Sequence, residues 1–297
     1  VDPAIQSSLF ASLGVTVPCE VLTPTAVSAV VVMLTDYVDP TKASKILFTQ
    51  RDYLHGILAL GASLRPNIDP SQTHMLLLLG STVQPSFSSD DQMRLQKVGW
   101  TLGRAPEFPL LPQYVPTYPR YKTTYTKLTV AGMAEYQCAL LMDADTLVVD
   151  DLRSLLTCDI FQPSSSHYQL AGTLDLDRGT WKGINTGALL WRTRATTMNY
   201  IYAQSRNQTF MKRYSSDQAF INQLYPERYN VTRNQQMILR GGDGGGGGPY
   251  QPTEEQVADL TWKYNAQTHV EGEQPEWWRA HRHGVAILHY TRRKGWQ

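Results

Sequence analysis

Apolar residues follow two rhythms along this chain. Continuous runs of strand length, Ala29-Val-Val-Val-Met-Leu-Thr35, His74-Met-Leu-Leu-Leu-Leu-Gly80 and Cys138-Ala-Leu-Leu-Met142, lack polar alternation, which predicts strands buried on both faces. Between them, Leu54, Ile57, Leu58, Leu60 and Gly61 recur at helical spacing from Asp52 to Leu64. Ser89 to Val98 predicts a helix with a Ser/Asp start, Gly99-Trp-Thr-Leu the strand after it, and Thr126 to Tyr136 a further helix. A proline-rich connector runs from Ala105 to Pro119. Strands alternating with helices imply a largely parallel α/β sheet with helices on both faces. Ligands in such sheets bind beyond the carboxyl ends of the strands.

Past residue 150 the rhythm changes. Ile184-Asn-Thr-Gly187 predicts a polar turn leading into a strand that ends at Trp191. Met198 to Gln204 and Ser215 to Leu224 predict helices, the second with a capping Ser. Val285 to Tyr290 predicts a short strand that carries His289. The run Gly241 to Pro249 lacks the Lys-Ser/Thr or G-x-G-x-x-G frame of a phosphate cradle and predicts a flexible surface loop. No internal repeat is evident.

Composition narrows the function. The 297 residues are 42% hydrophobic and 18% charged, enough to bury a large core. With 27 basic and 26 acidic side chains the formal charge is only +1, which makes no electrostatic case for nucleic acid as the main partner; the one basic cluster is Arg292-Arg293-Lys294. No apolar stretch approaches the ~18 residues that span a bilayer. The sequence opens at Val1 without an initiator Met, which allows for an anchor removed upstream. Asn207-Gln-Thr209 and Asn230-Val-Thr232 are glycosylation sequons that fit a secretory lumen, while a cytoplasmic location stays open. Of three cysteines, Cys138 is expected to be a buried small hydrophobe, and a Cys19–Cys158 bridge is open.

The most informative chemistry is Met142-Asp143-Ala144-Asp145, which closes the third apolar run. Two carboxylates one residue apart at a strand end offer hard oxygen ligands for Mn²⁺ or Mg²⁺ carrying a diphosphate. The competing reading is a pair of ordinary caps or loop residues. A carboxylate-pair hydrolase would want its acids about 5–10 Å apart around a sugar, which suits this spacing less well.

Read together, the segments resemble the glycogenin-like retaining glycosyltransferases of family 8. The resemblance rests on Tyr53-x-x-Gly56 and Leu60-x-x-Ser63-Leu64, Thr126-Lys127-Leu128, Met142-Asp-Ala-Asp-Thr-Leu147, Ile184-Asn-Thr-Gly187, Asp217-Gln218, Tyr264-Asn265, and His289-Tyr290 to Lys294-Gly-Trp296. These stand in the family's order and cover about residues 29 to 296.

The resemblance implies a GT-A fold: one Rossmann-like domain over 1–297, with a nucleotide-binding half at about 29–150. A sugar and acceptor half with a closing C-terminal segment would follow at about 151–297. It implies transfer from a UDP-sugar to a separate glycan or glycoprotein acceptor, dependent on Mn²⁺ with Mg²⁺ as the alternative, and retention of anomeric configuration. Homodimerisation is common among such proteins.

Asp143, Asp145 and His289 would hold the metal, although His289 alone would more often be a satisfied core histidine. Lys127 and Lys294 would contact the donor, with Arg292 and Arg293 as phosphate clamps. Thr35 and Asp36, or alternatively Thr49, would meet the uridine, and Tyr53 would stack on its base. Ala144, Thr186 and Gly187 would line the donor, the glycine allowing close backbone approach. Asp175, or Asp177 in its place, would take a sugar hydroxyl. Asn185, Asp217 and Gln218 would sit at the reacting carbon.

Departures from the family are also informative. Val38 to Arg51 intervenes between first strand and first helix, and Gly295 stands where proline is usual. Residues 266 to 289 contain no tyrosine, so self-glucosylation at the glycogenin position is not expected. Two alternatives are a self-glucosylating primer using another tyrosine (Tyr225, Tyr229 or Tyr250) and a catalytically inactive nucleotide- or glycan-binding member.

Overall fold

The structure is a computed structural model that describes residues 26–35, 50–80, 87–105, 108, 121–162, 168–177, 180–206, 216–225, 257–260 and 262–291. Its centre is a seven-stranded sheet built from both halves of the sequence. The first half contributes β1 (Ser28–Leu34), β2 (Thr73–Leu79), β3 (Thr101–Arg104) and β4 (Cys138–Met142). The short β5 (Thr146–Val148) follows, then β6 (Leu170–Asp177), β7 (Thr180–Arg192) and β8 (Val257–Asp259). The sheet order is β3-β2-β1-β4-β7-β6-β8. Pairing is parallel except where β7 runs antiparallel between β4 and β6. A second sheet places β10 (Ile287–His289) between β5 and β9 (Ala266–Gln267).

The absence of polar alternation in β1 and β4 has the predicted cause. Val30, Val32 and Leu34 pack into one hydrophobic cluster, while Ala29, Val31 and Met33 pack into another on the opposite face. On the first face lies α1 (Gln50–Leu64), which buries Leu54, Ile57, Leu60 and Leu64. Each such aliphatic side chain contributes roughly 1.5–3 kcal/mol on burial. Next in the chain, α2 (Ser89–Lys97) begins with a capping box between Ser88 and Asp91. The second face is covered by α3 (Ala195–Ser205) and α4 (Asp217–Leu224), through Met198, Ile201, Phe220, Ile221 and Leu224. Ser63 of α1 also accepts a bond from the Val148 N–H at 3.2 Å, docking β5 beside the helix.

Three expectations are revised. The helix expected over Thr126–Tyr136 is a 3-10 segment, Tyr125–Gly132, after one α-turn at Tyr121–Thr124. Its β-branched residues disfavour the α-helix, and Thr129 Oγ1 donates to its own chain at Thr126 O, 2.7 Å. The polar turn at Ile184–Gly187 lies inside one long strand instead. Between the pairs Gly172↔Leu189 and Leu174↔Ile184, five residue steps of β7 face two of β6. Residues 185–188 therefore leave the β6 ladder as a bulge, while Ala188 stays paired with Met142 of β4.

Cys158 pairs with Cys138 across a Cα–Cα distance of 5.7 Å, neither leaving Cys138 free nor reaching Cys19. Cys138 points to the first face, where the loop after β5 also buries Leu155, Leu156 and Cys158. Cys19, both sequons and the Gly241–Pro249 run lie outside the described residues.

The bridge closes a loop with a sequence separation of 20 that contains the whole Asp-x-Asp segment. By the chain-entropy relation such a closure is worth about 3 kcal/mol. Cys138→Ala/Cys158→Ala should therefore lower unfolding stability by about that amount, read as a shifted urea midpoint. A midpoint indistinguishable from the oxidised parent would show that the bridge does not form.

Candidate metal and donor site

At the carboxyl end of β4 the chain turns from the large sheet into the small one. Thr146 closes this turn, its N–H and its Oγ1 both donating to Asp143 O, at 3.2 and 2.7 Å. The Asp143 N–H donates to Gly187 O on the β7 bulge at 2.8 Å, and the Tyr290 N–H donates to Asp145 O at 2.9 Å. In β10, His289 pairs with Thr146 of β5. Two ligand-bearing segments and the β7 bulge thus meet where the two sheets join.

The ligand atoms of Asp143, Asp145 and His289 lie within 4.8 Å of one another, and no other such group exists among the described residues. His289 Nε2 is 3.5 Å from Asp145 Oδ1 and 4.0 Å from Asp143 Oδ2. His289 is buried. Two carboxylates and an imidazole suit a divalent cation of the Mn²⁺ or Mg²⁺ type that keeps further positions open.

The electrostatics favour an added cation. Lys127 Nζ donates to Asp143 Oδ1 at 2.5 Å. Burial alone would lower the Lys127 pKa, but Asp143, Asp217 and Asp145 outweigh it and hold the ammonium well above its usual range. The same three acids that hold this ammonium are the ones a divalent ion would face.

Beside the triad lies a polar network. Asp175 on β6 accepts from Asn185 Nδ2 at 2.8 Å and from Gln218 Nε2 at 2.9 Å. Burial raises the Asp175 pKa, against the opposing pull of those two amides. Gln218 Oε1 accepts from the Thr186 N–H at 3.3 Å, and Thr186 Oγ1 donates to Asp217 Oδ2 at 3.3 Å. Asp217 opens α4, capped by Ser216 through the Ala219 N–H. The helix is locked to β7 by Asn222. Its Oδ1 accepts from the Ile184 N–H at 2.5 Å, and its Nδ2 donates to Ile184 O at 2.9 Å.

The expected residues divide into groups. Lys127, Asp143, Asp145, Asp175, Asn185, Thr186, Gly187, Asp217, Gln218 and His289 converge as described above. The Ala144 side chain packs into the first-face core cluster. Thr35 follows the carboxyl end of β1, and Tyr53 packs partly buried against the first-face cluster. Asp36, Thr49 and Lys294 lie outside the described residues, as do Arg292 and Arg293. The side chain of Asp177 is likewise outside them.

Gly187 has a close neighbour, and it is part of the protein: a Cβ there would overlap the His289 ring. Sequence reasoning assigned no role to Asn265 or Asn222. Asn265 was visible only as half of the Tyr-Asn motif. Asn222 carried no signal, since its bonds depend on how α4 meets the bulge.

No protein-family model matches the chain. Among curated proteins, inositol phosphorylceramide glucuronosyltransferase 1 of Arabidopsis thaliana is 25% identical over 180 residues, 61% of this chain. The match covers 29% of that protein, so the chain spans under a third of the relative's length. Among solved structures, the bifunctional glycosyltransferase WbbM superposes with a TM-score of 0.56 at 13% identity, covering 92% of this chain and 47% of that one. The glycosyltransferase GlyE of Streptococcus pneumoniae gives 0.51 at 18%, covering 91% and 57%. Mouse xyloside xylosyltransferase 1 gives 0.50 at 12%, covering 90% and 98%. The fold is the GT-A fold of glycosyltransferases, with an Asp-x-Asp site at its sheet edge.

Asp145→Asn removes one anionic ligand while keeping the side chain's volume. It should weaken Mn²⁺ binding by about a hundredfold, at least the loss that removing a ligand's outer partner causes. Electron paramagnetic resonance of free Mn²⁺ in a titration reads this directly. Affinity kept within a few-fold would remove Asp145 from the ligand set.

Proposed function

We propose that this chain is a metal-dependent glycosyltransferase domain that moves a sugar from a UDP-sugar to a separate glycan or glycoprotein acceptor, with retention of anomeric configuration. One observation carries the reading: Asp143, Asp145 and His289 converge at the carboxyl edge of a GT-A sheet, beside a partly buried lysine and a polar network.

Cleavage at the anomeric carbon builds positive charge on the sugar and negative charge on the departing nucleoside diphosphate. A Mn²⁺ or Mg²⁺ ion held by Asp143, Asp145 and His289 would supply Lewis-acid stabilisation of that diphosphate. Lys127 places a second positive charge within hydrogen-bond reach of Asp143 and therefore close to the same region. Asp175, held at both oxygens by Asn185 and Gln218, offers an oriented acceptor for a sugar hydroxyl. Asp217 and Gln218 belong to that network at the start of α4, and we assign them to the face of the reacting carbon.

The lumen of the secretory pathway is the compartment we assign. Its support is the Cys138–Cys158 bridge, because disulfides persist in oxidising compartments, together with the two sequons. An inactive binding member is the weaker reading, since a site without turnover has no need of an assembled ligand triad and a paired lysine.

Calorimetric titration with UDP, with and without Mn²⁺, tests the class, and a donor-hydrolysis screen tests the sugar. UDP-glucuronate belongs in the screen with UDP-glucose, UDP-galactose, UDP-N-acetylglucosamine and UDP-xylose, because the Arabidopsis relative is named a glucuronosyltransferase. Mn²⁺ should tighten UDP binding by about tenfold or more, some 1.4 kcal/mol. One donor should be slowly hydrolysed, without a ladder of hexoses accumulating on the chain. No UDP binding under either condition would overturn the assignment.

Asp175→Asn separates sugar from nucleotide: donor KM should rise about tenfold or more while UDP affinity stays within twofold. Parallel loss of UDP binding would place Asp175 elsewhere.

A further inference from the structure

The hydrogen bonds around the bulge determine which nitrogen of His289 carries a proton. The Gly187 N–H meets Asn185 Oδ1 at 2.9 Å. A backbone N–H only donates, so that atom of Asn185 is the oxygen, and its nitrogen is the one facing Asp175. Asn265, fully buried, approaches the same Asn185 oxygen at 2.9 Å and must present its NH₂ there. Its own oxygen is thereby turned to His289 Nδ1, 3.0 Å away. An amide oxygen cannot donate, so Nδ1 holds the proton and the lone pair of the neutral ring lies on Nε2. Nε2 is the nitrogen that faces Asp145 and Asp143.

We propose that Asn265 is the positioning residue of the metal centre: through Asn185 and the Gly187 N–H it holds His289 in the tautomer that can ligate. The inference rests on the metal reading above and deepens it. Gly187 serves the same end, because the ring occupies the space that a Cβ would take. Asn265 is itself fixed by the 3-10 turn Trp262–Tyr264, whose Trp262 O accepts from its N–H at 3.1 Å. That turn is held by edge-to-face packing of Trp262 on Trp277 and Trp278. The arrangement also links the two halves of the site, since the bonds that set the metal ligand end on the carboxylate assigned to the sugar.

The test uses the full chain, labelled with ¹⁵N and free of metal. Long-range ¹H–¹⁵N correlation of the histidine rings identifies each tautomer, and His289→Gln identifies the signals that belong to His289. The unaltered chain should show His289 protonated on Nδ1. Asn265→Ala should populate the Nε2–H form and weaken Mn²⁺ binding by about 10–100-fold. Asn265→Asp, whose carboxylate still accepts from Nδ1, should keep the tautomer and restore Mn²⁺ affinity to within about threefold of the parent, although its bond to Asn185 is lost.

A thermal melt separates these effects from unfolding. A role in stability alone would move both variants' melting temperatures together and leave the tautomer unchanged. Mn²⁺ binding that Asn265→Ala leaves intact, with the ring still protonated on Nδ1, overturns this inference alone. Failure of the unaltered chain to bind Mn²⁺ overturns the metal reading and this inference with it.

Discussion

The antiparallel insertion of β7 against β4 is the constraint on which the site depends. A fully parallel sheet would place only strand ends at the carboxyl edge. Here a long strand returns through that edge and lays its polar bulge alongside the Asp-x-Asp turn, joined by the bond from the Asp143 N–H to Gly187 O. The bulge is possible because its polar groups find partners elsewhere: Asn185 in Asp175, Thr186 in Gln218 and Asp217, and Ile184 in Asn222. Buried backbone and amide groups are tolerated only when so satisfied. The bulge therefore forms as a unit with α4 and β6.

Charge is arranged by the same logic. A partly buried lysine beside three acids would be costly without hydrogen bonds, and Lys127 has one directly on Asp143 of the candidate metal site. Its ammonium is held by Asp143, Asp217 and Asp145, which outweigh the cost of its burial. The Cys138–Cys158 bridge encloses the same segment from below, tying the start of β4 to the loop beyond β5.

The elements were legible where one physical cause dominated. Burial on both faces makes β1, β2 and β4 continuous apolar runs, and β4 has the bounds that its sequence suggested. Elsewhere local and tertiary preferences competed. The stretch expected as a helix over Thr126–Tyr136 is a 3-10 segment over Tyr125–Gly132, where Thr129 Oγ1 bonds back to Thr126 O. Ile184–Gly187 has the composition of a turn, and only the partner strands show that the chain continues as a strand through it. The Cys138–Cys158 pairing followed from which face Cys138 occupies, which spacing along the chain does not reveal.

By itself the sequence determined the α/β class, the Asp-x-Asp at a strand end and the ordered series of motifs, because these depend on neighbouring residues or on short periodic patterns. Only the tertiary structure decided what fills the gap at Gly187. A glycine in a sequence announces room for a close neighbour without saying whose atoms approach, and here it is the His289 ring. It likewise decided that Asn265 addresses His289 Nδ1, since that follows from three amide groups and one imidazole brought together from residues 185–187, 265 and 289. The direction of a hydrogen bond between distant side chains is fixed by what each group can donate or accept once packing has placed them, and no local pattern encodes it.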